Sequence, residues 1–454
     1  MTNQFEAESL HRTVKRLVDS GRAKSFDEAQ AIAEGFRLHL DLSASRCLHE
    51  QIAAIALVEL GRRAFLGGVS VSGALDVALH HTLGDETLLR DALTRAGASA
   101  AEPADGVPII KVGAAGDPRS RFHLRLLMAG WRAGVAPVNE PFEMVAASEE
   151  YVMPLATVAS AALAVSQAFR YVSDGYSAGS EVIGLSLWAP GALAWSAAHA
   201  DGPRLQVLPS SVWLLGLGHL GQAFAWCLSL LPYPPGKGKR PRLLLQDTDV
   251  VGASTESTSV LTNADHMNRQ KTRVVADWMD RQGFATNIVE RGFDAYTRRG
   301  TDEPSLVFCG VDNPEARRAL DSAGFGFIVE AGLGSRYDDF QCLRVHTFPA
   351  TRSTAETWGP RPQQPEPVLN GAYAVLMARG ANRCGVVQLA GKAVGAAFVG
   401  AFTAALAVSE ALRVLHGHAP SEVADIDMFA LECRSVVQNR RDHRCINPGF
   451  IAVE

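Results

Sequence analysis

Residues 212–221 read Val-Trp-Leu-Leu-Gly-Leu-Gly-His-Leu-Gly, an apolar run feeding a Gly-x-Gly-x-x-Gly turn. From Gln222 to Leu231 the pattern turns helical. A strand, a glycine turn and a helix in that order restrict the fold more than any other stretch. Gly216, Gly218 and Gly221 would let the backbone approach a phosphate, and the free N–H groups of the helix start would bind the anion. The motif predicts a nucleotide and leaves its kind open.

Around it, short apolar runs alternate with helical patterns. Strands are expected at 243–246, 288–290, 306–309 and 327–330, with helices at 271–283 and 314–323. That alternation predicts a parallel sheet covered on both faces, with ligand at the carboxyl ends of its strands. Upstream, residues 8–37 carry two amphipathic helical patterns around Gly21. The second opens on Ser25-Phe-Asp-Glu28, a capping serine with glutamate three residues on. A helix at 51–65 follows, then a strand–turn–helix unit around Gly73 whose helix covers 74–81. A loop at 97–106, a strand at 107–112 and a helix at 122–134 complete this part.

The two halves look related. Residues 161–170 (AALAVSQAFR) and 404–413 (AALAVSEALR) agree at eight of ten positions. Upstream of each lies a strand and a Pro-bearing turn, Ile109 to Pro118 in one case and Leu306 to Pro314 in the other. Chance similarity of Ala-rich helices is the alternative. The reading adopted is one α/β unit present twice, the first copy having lost its glycine turn. Residues 173–211 would carry the chain between copies. This divides the chain into 1–205, a helical N-terminus plus the degenerate unit, 206–431, the intact unit, and a tail at 432–454.

Composition then excludes several classes. A chain of 454 residues supports two or three sizeable cores. Its net charge of -5 carries no basic excess, so no nucleic-acid partner is expected. The polar, acidic N-terminus argues against a signal peptide. Two uncharged runs, 151–169 and 393–409, hold Thr or Gln among Ala, Gly, Ser and Val, and read as buried core helices with no membrane contact. Seven cysteines stand singly with no Cys-x-x-Cys, which argues against structural zinc and for reduced thiols in a cytoplasm.

Four features in order carry a family resemblance: Gly216 to Gly221, the Asp247-Thr-Asp249 turn, Lys271 twenty-two residues beyond Asp249, and Val311-Asp312-Asn313 leading into a helix with Arg317. Together they resemble the ThiF/MoeB/HesA superfamily, the adenylating domains of ubiquitin-activating enzymes and their bacterial relatives. The resemblance covers roughly residues 211–431. It implies an α/β, Rossmann-like ThiF/MoeB-type adenylation domain, here preceded by a degenerate, inactive adenylation-like domain. It implies ATP and Mg²⁺. By the same resemblance Asp247 accepts from ribose hydroxyls, Asp249 belongs to the same acidic turn, Lys271 binds phosphate, Asp312 coordinates the metal, and Arg317 belongs with the residues that bind the nucleotide. Each has a plainer alternative: Asp247 capping a turn, Lys271 solvated on a surface, Asp312 capping a helix.

The chain also departs from the family. The Ser-Asn-x-x-Arg-Gln segment falls on Ser254-Thr255-Glu-Ser-Thr258-Ser259, so an expected phosphate-contacting arginine is missing. Thr255 takes the place of the segment's Asn, and Arg269, two residues before Lys271, is the candidate substitute for the arginine. In homodimeric members a further arginine comes from the partner's N-terminal helix. Here the first copy could supply one, with Arg46, Arg62 or Arg63 as candidates.

The chemistry implied is adenylation of a protein's C-terminal carboxylate. A thioester would require a nucleophile, and Cys384 is the candidate, in Arg383-Cys384-Gly385 within the crossover segment 349–392. Arg383, Lys392 and a helix start near Leu389 would favour its thiolate. An inert buried cysteine is the alternative, and Cys433 the second candidate. The partners implied are a ubiquitin-like protein ending in glycine and a ubiquitin-conjugating-like carrier. A sulfur-carrier or peptide adenylyltransferase without thioester, an NAD-dependent oxidoreductase and a non-catalytic scaffold are the competing readings.

Overall fold

The computed structural model describes residues 11–453 except 81, 84, 145–150, 176–177, 235–239, 360–368, 380–382 and 444–445; of residues 384, 385 and 388 it describes the backbone alone. The first half runs α1 (Arg12–Asp19), α2 (Phe26–Glu34), β1 (Leu38–Leu42), α3 (Leu48–Gly61), β2 (Val69–Gly73), α4 (Leu89–Arg95), β3 (Ala98–Ala100), β4 (Ile109–Lys111), β5 (His123–Ala129), β6 (Arg132–Pro137), α5 (Pro154–Asp174) and β7 (Ile183–Ser186). The second runs β8 (Val207–Pro209), β9 (Ser211–Leu215), α6 (His219–Ser229), β10 (Arg242–Gln246), α7 (Ala253–Thr258), α8 (Lys271–Arg281), β11 (Ala285–Val289), β12 (Leu306–Cys309), α9 (Pro314–Arg318) and β13 (Phe327–Leu333). It continues with β14 (Cys342–Phe348), α10 (Thr354–Thr357), α11 (Gly371–Ala378), α12 (Arg383–Ala390), α13 (Ala397–Leu415), β15 (Ser421–Asp427), β16 (Ser435–Gln438) and β17 (Phe450–Ala452).

Local signals explain where the first helices begin. Ser25 accepts from the Glu28 N–H at 3.2 Å, as its capping pattern predicts. At the start of α1, His11 Nδ1 accepts from the Thr13 N–H.

Two sheets share one topology. The first has the order β3-β2-β1-β4-β5-β6-β7, the second β11-β10-β9-β12-β13-β14-β15-β16. In each, the first five strands are parallel and the pairs beyond them antiparallel. The sheets are therefore mixed, not parallel throughout as the alternation predicts, because hairpin-like returns follow β5 and β13. The repeated decapeptides lie on α5 and α13, which pack against each other. Both helices are long and apolar enough to cross a membrane, yet 83% and 89% of their most apolar windows are buried inside the protein.

Inward residues of both sheets join one core with the helices between them: Leu40 and Val71 from the first, Leu214 and Phe308 from the second. The outward faces differ. On the second sheet Trp213, Val307 and Ile328 form an apolar layer with Ala316 and Leu320. On the first, the equivalent layer is apolar at Leu127, Ala136 and Trp195 and polar around β1, where buried His39 places its two ring nitrogens 2.9 and 3.0 Å from the hydroxyls of Ser70 and Ser72.

Four expectations in the first half are corrected. Residues 122–134 form no helix; His123 and Arg125 alternate with Leu124 and Leu126 along β5, and Gly130, at φ +54°, turns the chain into β6. Residues 74–81 hold no helix among those described; Ala78 bridges to Leu88 instead. The strand at 38–42 escaped notice because Leu-His-Leu-Asp-Leu is short and joins two helical patterns. By position in its sheet, β1 corresponds to β9, so the turn facing the glycine loop's place is 43–47 and not the one around Gly73. The passage 173–211 is more than a connection, since it contributes β7 and β8.

Candidate functional site

The loop from β9 to α6 opens the site. Gly216 adopts φ +81°, and a Cβ there would lie 2.8 Å from a Val311 methyl. At Gly221 a Cβ would lie only 1.8 Å from the Gly216 carbonyl oxygen, so helix and loop pack without side chains between them. Gly218 has no atom within 4 Å of its missing Cβ and leaves open space over the loop. Gly310, which the sequence reading passed over, belongs with these, because a Cβ there would stand 2.8 Å from that of Leu220. Its signal was present, since it directly ends a wholly apolar strand.

A cleft of about 520 Å³ lies over this loop at the carboxyl ends of β9, β10 and β12. Gly216, Gly218, Asp247, Asp249, Lys271, Asp312 and Arg317 all line it. Asp247 ties the acidic turn to the glycine loop: its carboxylate accepts from the Leu217 N–H at 2.5 Å and the Asp249 N–H at 2.7 Å. Lys271, at the start of α8, reaches Asp249 with an Nζ–Oδ2 distance of 2.8 Å. Asp312 is exposed and finds no hydrogen-bond or ion-pair partner among the described residues. The helix cap is made by its neighbour Asn313, which accepts from the Glu315 N–H at 2.9 Å.

Other expected residues lie elsewhere or are occupied. Arg269 does not line the cleft; it pairs with Asp277 at 2.5 Å on the exposed side of α8. Thr255 is turned into the start of α7, where its hydroxyl accepts from the Gly252 N–H. Arg317 borders the cleft, but its guanidinium is committed. It donates to the Val311 carbonyl at 2.7 Å, pairs with buried Glu330 at 3.2 Å and lies 4.4 Å over the Trp358 ring.

Among the proposed arginines of the first half, Arg62 pairs with Glu59 and neither it nor Arg46 lines the cleft. Arg63 is buried with its donors taken by carbonyls of residues 256–262 and by Glu59, so it cannot meet a phosphate. The arginine from the first half that does line the cleft is Arg12, at the start of α1. Its placement on an N-terminal helix is the signal that could have found it.

Arg12, Lys271, Arg291 and Arg317 face Asp247, Asp249 and Asp312 across this space, an arrangement suited to a polyanion with a cation. His219, in the loop itself, has its imidazole pushed down to about 4, chiefly by burial. It is neutral near pH 7. A ribose would find Asp247 at the β10 end, and a phosphate would find the N–H groups of α6. Among the described residues no group of three His, Cys, Asp or Glu side chains could hold a resident metal. One free carboxylate beside a phosphate cradle fits Mg²⁺, which commonly takes one or two carboxylates together with substrate phosphates.

Cys384 lies in the first turn of α12, which begins at Arg383 and not near Leu389; its side chain is outside the described residues. After α12 the chain returns to the cleft, where Ala393, Val394 and Gly395 form part of the wall and the Val394 N–H donates to the Ser335 carbonyl at 2.7 Å. Cys227 and Cys309 are buried, and burial raises the Cys309 thiol to about 12. Cys342 is raised to about 11 by burial and the carboxylates of Asp427 and Asp339. Cys433 is exposed.

The chain matches the family described as BilD N-terminal domain over residues 35–187, and that described as BilD C-terminal domain over residues 208–418. It is 41% identical over 417 residues to the bacterial E1-like protein BilD of Collimonas sp. (strain OK412), spanning 90% of this chain and 89% of that protein. Among solved structures it is similar to E. coli MccB with succinimide, at 13% identity and a TM-score of 0.35, over 51% of this chain and 64% of MccB. The structure of MccB with MccA-N7isoASN gives 13% identity and a TM-score of 0.36, over 51% of this chain and 65% of MccB. The chain thus spans just under two thirds of MccB's length.

Proposed function

The chain belongs to the BilD family of bacterial E1-like proteins, and from that premise we propose that it is an ATP-dependent activating enzyme for a ubiquitin-like protein. The observation that carries the proposal is the convergence of the glycine loop, the Asp249–Lys271 pair and the unpaired carboxylate of Asp312 on one cleft.

In this reading the nucleotide lies over Gly216 and Gly218 with its ribose at Asp247. A carboxylate oxygen of the modifier's C-terminal glycine attacks the α-phosphorus. The bond to the β-phosphate oxygen breaks, pyrophosphate leaves, and an acyl-adenylate remains. Lys271, Arg12 and the N–H groups at the start of α6 hold the phosphate charge; most of the catalysis is positioning and charge neutralisation. Asp312 would hold Mg²⁺, which when bound supplies further neutralisation at the phosphates. The first half, sharing the sheet order but lacking the glycine turn, is the inactive copy. The thiolate of Cys384 then attacks the acyl carbon, the bond to the AMP oxygen breaks, and a thioester forms for transfer to a conjugating carrier.

ATP–pyrophosphate exchange tests the adenylation step. With a small protein ending in glycine supplied, isotope exchange into ATP is expected, and it should be lost in Asp312→Ala. Exchange absent with every such protein, or unchanged in Asp312→Ala, would remove the proposal.

A further inference from the structure

We infer that Arg63 is a positioning residue through which the first half of the chain shapes the wall of the nucleotide cleft. The inference rests on reading that cleft as the ATP site. Arg63 follows the end of α3 in the first half, is 3% exposed, and points into the second half. Its Nε donates to the Glu256 carbonyl at 3.2 Å, and its Nη2 to the carbonyls of Val260 and Thr262, each at 3.0 Å. Its Nη1 donates to the Glu59 carbonyl at 2.7 Å and to the Glu59 carboxylate at 2.5 Å. A guanidinium has five N–H donors, and here each has an acceptor.

The segment it holds needs such a partner. Residues 259–262 form a buried turn after α7 that belongs to no helix or sheet, so no ladder satisfies the carbonyls of Val260 and Thr262. From the other side Gln222, fully buried on α6, accepts from the Leu261 N–H at 3.1 Å and the Thr262 hydroxyl at 2.8 Å. Its amide also donates to the Leu217 carbonyl in the glycine loop at 3.2 Å. A single run of hydrogen bonds therefore links Glu59 and Arg63 in the first half to residues 260–262, Gln222 and the glycine loop.

The residue that leads into this segment, at the end of α7, belongs to the cleft wall. This is Thr258, and its methyl lies 3.3 Å from where a Cβ on Gly395 would stand, in the connection between α12 and α13. Lysine could not replace Arg63 here: three donors on one nitrogen cannot meet five acceptors spread over two faces of a planar fork. The position of the family's missing phosphate-contacting arginine falls at Thr258, directly before this segment. The segment's placement is thus supplied from outside it, by an arginine that touches no phosphate.

The test uses full-length Arg63→Lys and Arg63→Ala proteins. Amide hydrogen exchange is followed across residues 256–262 and, as control, across α5; equilibrium binding measures the Kd for ATP·Mg²⁺. Expected are loss of protection at 256–262 with α5 unchanged, and a rise in Kd of roughly tenfold, the scale of losing one or two bonds to buried carbonyls. Methylguanidinium is expected to restore both in Arg63→Ala and neither in wild type. Unchanged protection at 256–262, or a loss shared by α5 in both variants, would overturn the inference, as would altered protection with an unchanged Kd. Wild-type protein that binds no ATP would overturn the reading of the cleft instead, while the exchange pattern and its rescue would still decide whether Arg63 holds the segment.

Discussion

Lys271 and Asp249 meet at 2.8 Å, the lysine side chain 12% exposed and the aspartate 66%. The lysine is thus drawn into the cleft wall while its partner stands at the rim. A phosphate entering over the glycine loop would find an ammonium already aimed and only loosely held.

Lys271→Ala should therefore lower pyrophosphate exchange on the order of 100-fold, the usual loss when one oriented group stabilising transition-state charge is removed. Its melting temperature should move little, because a rim ion pair contributes about 0–1 kcal/mol. A variant that unfolds, or that keeps full exchange, would contradict this.

The glycines of the loop should separate by role. Gly221→Ala places a methyl 1.8 Å from the Gly216 carbonyl oxygen, so thermal stability is expected to drop clearly. Gly218→Ala meets nothing within 4 Å and should keep its stability while weakening ATP binding, since the methyl enters the space left for phosphate. Equal melting temperatures for the two variants would refute the distinction.

Cys384→Ala is expected to abolish a reducible adduct with the modifier and leave pyrophosphate exchange intact. Cys342→Ser should keep both the adduct and the exchange, because its thiol is raised to about 11 and offers little thiolate near neutral pH. A gel under non-reducing conditions decides it: an adduct surviving in Cys384→Ala moves the nucleophile elsewhere, with exposed Cys433 next to be tested.

Three histidines, His11, His123 and His219, are each lowered from 6.5 to about 4, chiefly by burial. In the unfolded chain they take a proton first as pH falls below 6.5. Their contribution to stability is complete above that value and is lost progressively towards 4, because unfolding then takes up protons. The melting temperature should accordingly be lower at about pH 5 than at about pH 7.5. A level or rising value on acidification would show that these rings are protonated in the fold.

The helices at 12–19 and 26–34, the strands and helices from 211 to 333 apart from α7, and the two buried decapeptides were legible in the sequence, because local period and capping are written in consecutive residues. The β5–β6 hairpin was not. Its residues carry enough apolar spacing to mimic a helix, and only pairing with β4 and β7 selects the extended form. Arg317 was read as a ligand because its position on α9 matches; Glu330 and Trp358, which occupy it, lie on other elements.

By itself the sequence determined the glycine loop and the acidic turn, and it made Lys271 and Asp312 candidates for one site. Spacing along a strand–turn–helix unit leaves little freedom in where such residues emerge. Tertiary structure alone decided which arginine reaches the cleft. Arg12, Arg63 and Arg269 are equally plausible as letters, but a guanidinium's role depends on which acceptors surround it. Those acceptors are carbonyls and carboxylates up to two hundred residues away. The fold turned Arg269 outward to Asp277, buried Arg63 among carbonyls, and left Arg12 at the cleft.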